Sequence, residues 1–572
     1  MLAQEPLGSF VLVLHSHIPY VLAHGRWPHG TDWLTEAAAE SYLPLIETLH
    51  GLVEQGISPK TVIGVTPVLA EQLEHPDFVF EFITYLQAKI QVAESDEAGF
   101  ASDGRFVLAE TARRWRDRYA RTLSTFRERC SCSIVGALKE LQDGGHIEII
   151  TSAATHGYLP LLSRDASIRA QVKQGALAYE GHFGRKPRGF WLPECAYRPG
   201  YKWSPPTAAG GRTAEPCLRK GLEEFLGENG LDYFIVDRHT PRHSSGTPVY
   251  GDRFAPSKKS CDGLATQQPI VDADIGEHRA YWVQSCGQAG QVAAFVRDSR
   301  TAAQVWGASG SYPADMWYLE FHKKHAPGWL RYWRISGADV SREDKLPYEP
   351  DRVDERVQVH AEHFVGLVKD ILREHRETFG EHGVVCAAYD TELFGHWWFE
   401  GPDWLRCTLA LAARDPEIEL VTGSEYLAAN PPTQTVPIPE GSWGDGGCHS
   451  VWLNEATRWT WELVHEAERE MVDLASQLGR DGAAGRILKQ AAREVLLLQS
   501  SDWQFNISIG TSRDYAESRI REHHANFKRL ASLARTAAAG ASLTEDDGDF
   551  LDGCEERDQL FGGIDPAWFR DD

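Results

Sequence analysis

Short apolar runs and amphipathic stretches alternate along most of the chain. Residues 10–14, Phe-Val-Leu-Val-Leu, form an unbroken apolar run that ends in His15 and His17, and runs at 61–67, 147–156, 189–196, 233–239 and 386–390 take the same form. Each is a β-type segment that finishes in a polar or charged group. Between them, apolar residues recur at helical spacing over 35–55, 69–91, 169–181, 217–227 and 352–379. Strand alternating with helix predicts a parallel sheet or barrel. The segment 96–133 is charged and helical in pattern, with Arg113, Arg114, Arg116, Arg118 and Arg121, and predicts an inserted hairpin whose arginines lie on a solvated side. Residues 240–280, rich in Ser, Gly, Pro and Asp, predict a loop longer than ordinary connections. A Pro-rich connection at 430–439 separates this part from three long helices expected at 455–478, 483–498 and 513–537, the first N-capped by Asn454. The acidic tail ends in an apolar stretch, 561–569, that is expected to dock.

Composition narrows the partners. A formal net charge of -24 over 572 residues argues against nucleic acid and anionic membrane, both of which select basic patches. Nineteen Trp, with eighteen Tyr and twenty-three Phe, exceed what an ordinary core requires and favour a carbohydrate ligand, since sugar C–H faces stack on indoles. The ten cysteines show no Cys-x-x-Cys and are expected to be reduced. The N-terminus lacks the pattern of a signal peptide, and no run of about 18 apolar residues occurs. A cytoplasmic protein is expected.

The candidate chemistry sits at two strand ends. Gly189-Phe-Trp191-Leu-Pro-Glu194-Cys-Ala-Tyr197 runs from apolar residues straight into a carboxylate among aromatics. Cys386-Ala-Ala-Tyr389-Asp390-Thr-Glu392 does the same. Paired carboxylates can cut a glycosidic bond, one attacking the anomeric carbon and the other protonating the departing oxygen. Glu194 is the candidate nucleophile, which must stay ionised. Asp390 is the candidate acid, with Tyr389, Phe394, Trp397 and Trp398 as the expected apolar surroundings that raise its pKa. Glu392 is a rival for either role, because it would share a face with Asp390 if the strand continued. His15, His17 and His156 at strand ends would suit a metal-dependent deacetylase, but hydrogen bonding to sugar hydroxyls is the commoner use and no metal is expected. The Gly-rich segment 441–452 lacks the Lys-Ser/Thr of a phosphate loop, and its Trp443 and Trp452 better suit a stacking wall.

Five ordered motifs then identify a resemblance: His15-Ser-His-Ile-Pro-Tyr20, Ala154-Thr-His-Gly-Tyr-Leu-Pro-Leu161, Trp191-Leu-Pro-Glu-Cys-Ala-Tyr197, Tyr389-Asp-Thr-Glu-Leu-Phe-Gly-His-Trp-Trp398 and Ser501-Asp-Trp-Gln-Phe505. Over nearly its whole length the chain resembles family 57 of the glycoside hydrolases and, within it, the branching enzymes. The resemblance implies a distorted (β/α)7 barrel over 1–430, with the helical insertion at 96–133 and the loop at 240–280, and an all-helical C-terminal domain over 431–572 that contributes cleft aromatics. It implies a retaining mechanism without cofactor or metal, with Glu194 as nucleophile and Asp390 as acid/base. His15 and His156 fall in the donor-sugar site, and Trp27, Trp33, Trp306, Trp443 and Trp452 line the cleft. His17, Trp191, Arg297, Trp398 and Asp502 complete the expected substrate-binding set. Tyr250, on the long loop, matches a tyrosine that shields the covalent intermediate from water. The implied partner is an α-1,4-glucan, handled by a monomer. Two other readings use the same residues: an amylase-type hydrolase, and a glucan-binding protein without catalysis.

Overall fold

The computed structural model describes residues 5–26, 28–207, 216–238, 275–285, 288–307, 310–479 and 481–571. Seven parallel strands form the centre: β1 (Gly8–Ser16), β2 (Thr61–Val65), β3 (Ile147–Ser152), β4 (Gly189–Trp191), β5 (Tyr233–Val236), β6 (Gln288–Val296) and β7 (Gly383–Asp390). They pair in the order β7-β1-β2-β3-β4-β5-β6. A parallel bridge between Arg297 and Cys386, with the Asp298 N–H donating to the Cys386 carbonyl at 2.9 Å, joins β6 back to β7. The result is a distorted (β/α)7 barrel. The distortion lies at two places. The strand Ala280–Ser285 runs antiparallel against β6, and the strand Ile418–Leu420 pairs with the start of β1 below its contact with β2.

The alternation of side chains along these strands builds both the core and the site. All nine residues of β1 are buried, as a strand covered on both faces must be. Phe10, Leu12 and Leu14 face the helices, while Val11 and Val13 face the barrel interior with Ile150, Trp191, Tyr233, Ile235, Ala293, Phe295, Val384, Cys386 and Ala388. Carrying the period of two onward from the inward set places His15, Asp237, Arg297 and Asp390 at the interior mouth of β1, β5, β6 and β7. One rule therefore fills the barrel with apolar side chains and crowns it with polar ones.

Several expectations need correction. The helical pair after β2 consists of Pro76–Ser102 and Phe106–Ser124, so it begins well before residue 96. The change of composition at Asp96 falls inside the first helix, which stays buried on one face through Ala93, Asp96 and Phe100. Its partner's arginines mostly pair with acids, as with Arg116 and Glu97 at 2.7 Å, but Arg118 turns inward over the Phe399 ring at 4.3 Å. The segment 217–227 is not one helix. Cys217–Arg219 is a strand against Tyr201–Trp203, and the helix Leu222–Glu228 starts only beyond Gly221. The helix Arg458–Gln477 begins three residues later than expected, because the Asn454 side chain accepts from the Ala456 N–H within a preceding turn.

The remainder of the C-terminal part is helical, with Gly482–Leu498, Ser501–Ile509, Arg513–Ala538 and Glu545–Arg557. The tail docks through the buried Phe569 and through Arg570 Nε, which donates to the Ala475 carbonyl at 2.7 Å. Among the described residues no helix is long and apolar enough to cross a membrane, and eight cysteines are free thiols.

The helix Asp165–Phe183 approaches the end of β3 so closely that a Cβ on Gly175 would lie 2.2 Å from the Ser152 carbonyl oxygen. Gly175→Ala is expected to lower the melting temperature by several degrees, from overpacking that costs about 1–3 kcal/mol. An unchanged melting curve would show that this helix is free to back away from the strand.

Candidate active site

Glu194 occupies an unusual backbone. β4 stops at Trp191, and the short 3-10 turn Pro193–Cys195 holds Glu194 at φ 61 and ψ 25, a left-handed conformation that non-glycine residues adopt at some cost. What over-determines it comes from the far end of the chain. The Trp443 backbone N–H donates to the Glu194 carbonyl at 3.0 Å, and Trp443 Nε1 donates to Glu194 Oε2 at 2.8 Å. A two-way backbone bridge between Tyr197 and Gly441 fixes the same segment. The second carboxylate oxygen, Oε1, accepts from Ser501 Oγ at 3.0 Å.

Behind Ser501 stands a directed chain of hydrogen bonds. Burial holds the pKa of both His15 and His156 well below its ordinary value, and the neighbouring His17 charge lowers them further, so both rings are neutral. Because Ser501 gives its proton to Glu194, its oxygen accepts from His156 Nδ1 at 2.9 Å. His156 Nε2 is then the acceptor for His15 Nε2, 3.1 Å away, and His15 Nδ1 is left as a buried nitrogen without a partner. Every donor in the series points toward Glu194. Beside it, His17 Nε2 meets Asp502 Oδ2 at 2.8 Å. Burial alone would neutralise both members. Their mutual attraction instead keeps Asp502 down at about 2 and raises His17.

Asp390 ends β7 directly across the β1 register from His15. Burial raises its pKa well above the ordinary range, and the charges of Glu392 and Glu194 add to that, with Arg297 opposing. Among the described residues no hydrogen-bond donor reaches its carboxylate. Glu194 is also raised, to about 7, mainly by burial, with the Trp443 and Ser501 donors holding it down. The two carboxyls thus differ in their donors: Trp443 and Ser501 favour the anion of Glu194, while none does so for Asp390 among the described residues.

The expected surroundings of Asp390 differ from those observed. Tyr389, Phe394 and Trp398 point into the layer between barrel and helices, where Phe394 and Trp398 pack on Trp404, and Trp397 is exposed. Desolvation of Asp390 comes from the barrel mouth itself. Glu392 is not interchangeable with Asp390, because the chain leaves the strand for the 3-10 turn Thr391–Leu393. Its Oε1 accepts from the His17 backbone N–H at 3.1 Å and from Tyr42 Oη.

Of the expected aromatics, Trp306 and Trp443 meet edge to face at 5.2 Å, with the Arg297 guanidinium over both rings. Arg297 is anchored to Asp237 at 2.9 Å and keeps Nη1 without a partner. Trp191 is buried and stacks on His15 at 4.5 Å. Trp33 is half-buried, edge-on to Tyr515 at 5.5 Å. Trp452 and Trp398 are buried, Trp452 flat against Tyr158 at 4.6 Å, so both support the walls and offer no open face for stacking. Trp27 and Tyr250 lie outside the described residues. Ser501 and Asp237 were missed as site residues. The position of Ser501 at the head of the fifth motif, and of Asp237 at a strand end, were the available signals.

A metal does not fit this mouth. His17, His156 and Asp502 bring ligand atoms within 4.8 Å of one another, but the His17–Asp502 ion pair and the two bonds of His156 already engage those atoms.

The family model "Glycosyl hydrolase family 57" matches residues 11–439. The chain belongs to glycosyl hydrolase family 57. A second model, "1,4-alpha-glucan branching enzyme, C-terminal", matches residues 463–569 of this family 57 chain. It is 43% identical to the 1,4-alpha-glucan branching enzyme TK1436 of Thermococcus kodakarensis, over 97% of this chain and 77% of that protein. The crystal structure of a family 57 branching enzyme from Pyrococcus horikoshii superposes with a TM-score of 0.87 at 41% identity, covering 99% of this chain and 97% of that one. The α-amylase AmyC of Thermotoga maritima gives 0.78 at 27% identity, covering 99% of each.

With Glu194 required as the anion, the acid limb of kcat/KM should fall near pH 7, since that profile reports the free enzyme. Trp443→Phe removes a donor that favours the charged form, so the limb should move up by roughly one pH unit. A limb that stays in place would show that Trp443 does not hold this charge. Turnover should be indifferent to a chelator, and inhibition by EDTA would restore the metal reading.

Proposed function

We propose that the protein is a retaining 1,4-α-glucan branching enzyme. Glu194 attacks the anomeric carbon, the C1–O4 bond breaks, and the Asp390 proton passes to the departing O4. The covalent glucosyl ester on Glu194 then meets the 6-hydroxyl of an acceptor chain. Asp390, now a carboxylate, takes the proton from O6 as O6 attacks C1 and frees Glu194. Two inversions leave an α-1,6 link. The two donors on Glu194, against none at Asp390 among the described residues, support this division of roles, and Arg297 Nη1, unpaired beside Trp306 and Trp443, would meet a sugar hydroxyl.

The observation that carries branching over plain hydrolysis is the C-terminal match. The region 463–569 that matches the branching-enzyme model supplies Ser501, which donates to Glu194, and Asp502, which charges His17. Transfer must also beat water at roughly 55 M, which requires an acceptor held in line and a shielded intermediate. Tyr250 is proposed for that shielding on the family resemblance alone. The amylase neighbour keeps hydrolysis as the competing reading.

Amylose incubated with the enzyme should gain α-1,6 linkages, measured by proton NMR, faster than reducing ends. Reducing ends rising without branches would convert the assignment to a hydrolase. Glu194→Gln should lower kcat by about a thousandfold or more while amylose is still bound. Tyr250→Ala should shift the products toward reducing ends.

A further inference from the structure

A cavity of about 380 Å³ lies outside the carboxylate site, between the turn after β1, the helix Pro76–Ser102 and the tip of a small hairpin. That is within the size range of small-molecule pockets, about 300–1,000 Å³. The hairpin pairs Lys324–His325 with Leu330–Arg331 and carries Trp329 at its tip, 46% exposed and held at φ 59. The tip is not loose. The Trp329 N–H donates to the His325 carbonyl at 2.7 Å, and Lys89 Nζ donates to the Gly328 carbonyl at 3.1 Å. Gly328 sits so close to the helix that a Cβ there would lie 1.9 Å from Val92 Cγ1. An indole is thus presented to solvent on a rigid mount.

Beneath it, Tyr85 lines the cavity, is 6% exposed and keeps its hydroxyl buried without a hydrogen-bond partner. A buried hydroxyl left unmatched is costly unless something supplies the bond. The wall also carries Asp32 and Glu36 from one helix and the cations Arg26, Lys89 and Lys324, with Arg26 Nε 3.4 Å from Asp32. Acceptors and donors therefore line one space with little net charge. A phosphate would meet Asp32 and Glu36 as well as the cations, and a lipid tail would meet five charges. A neutral polyhydroxyl ligand satisfies all of them and offers a C–H face to the indole.

An aromatic pair sits beside Lys324. Lys324 Nζ lies 5.2 Å over the Phe321 ring, and Phe321 stacks on the exposed Trp397 at 4.3 Å. Trp397 belongs to the turn that follows Asp390.

We propose that this cavity is a second glucan-binding site, in which Trp329 stacks on a glucose ring and Tyr85 bonds one of its hydroxyls, holding polymer outside the cleft. The choice of glucan rests on the branching assignment. The test uses the full chain. In native gels cast with amylose, Glu194→Gln protein should be retarded, and adding Trp329→Ala should weaken that retention roughly tenfold, the effect of losing one aromatic anchor. Tyr85→Phe, which keeps the ring and so the packing, should weaken it less. On wild-type background both variants should raise KM for amylose and leave maltoheptaose turnover unchanged. Amylose retention and KM that stay as in the parent protein would overturn the site. So would equal losses on polymer and maltoheptaose, which would signal damage to the cleft. A wild-type enzyme that forms no α-1,6 links, yet loses amylose retention with Trp329→Ala, would sink the branching assignment and leave this site standing.

Discussion

The arrangement depends on the double attachment of Trp443 to Glu194, backbone to backbone and indole to carboxylate. A left-handed residue at a strand end is a strained one, and strain persists only where neighbours leave no alternative. Here the neighbour belongs to the segment that follows the barrel. With Ser501 on the other oxygen, both lone-pair faces of the carboxylate are engaged from the C-terminal side while the rest of the side chain remains in the barrel mouth. The helical part is therefore a component of the reactive centre.

That arrangement also organises charge. Glu194, Asp390 and Glu392 share a buried space with few cations, chiefly Arg297 and His17. Three carboxylates so placed cannot all ionise near neutrality. Donors decide which does: Glu194 has two, Glu392 has the His17 N–H and Tyr42, and Asp390 has none among the described residues. Neutral His15 and His156 relay their polarity toward Glu194, and the His17–Asp502 pair closes the ring of groups behind them. The proton is left where a departing oxygen needs it.

Much of this was legible in the residues. Period-two alternation from Val11 and Val13 leads to His15, and from Val384, Cys386 and Ala388 to Asp390, so strand ends alone locate half of the mouth. The motifs added His156, Glu194 and Asp502. What stayed hidden was direction. Nothing local tells that Phe394 and Trp398 pack outward, since an aromatic near a carboxylate reads alike on either side of a strand. The burial of Trp452 against Tyr158 depends on a contact nearly three hundred residues distant in the chain. Ser501 stood only as the head of the fifth motif, and its service to Glu194 exists only once two remote segments meet.

That remoteness has a consequence for synthesis. Ser501 follows Glu194 by 307 residues, and at roughly 5–20 residues per second a ribosome takes roughly 15–60 s to travel between them. The nascent barrel carries its carboxylate without the Trp443 donor for the first 249 residues of that interval, and without the Ser501 donor for all of it. The enzyme is armed from its own far end, so a prematurely terminated product is born inert toward the polymer around it.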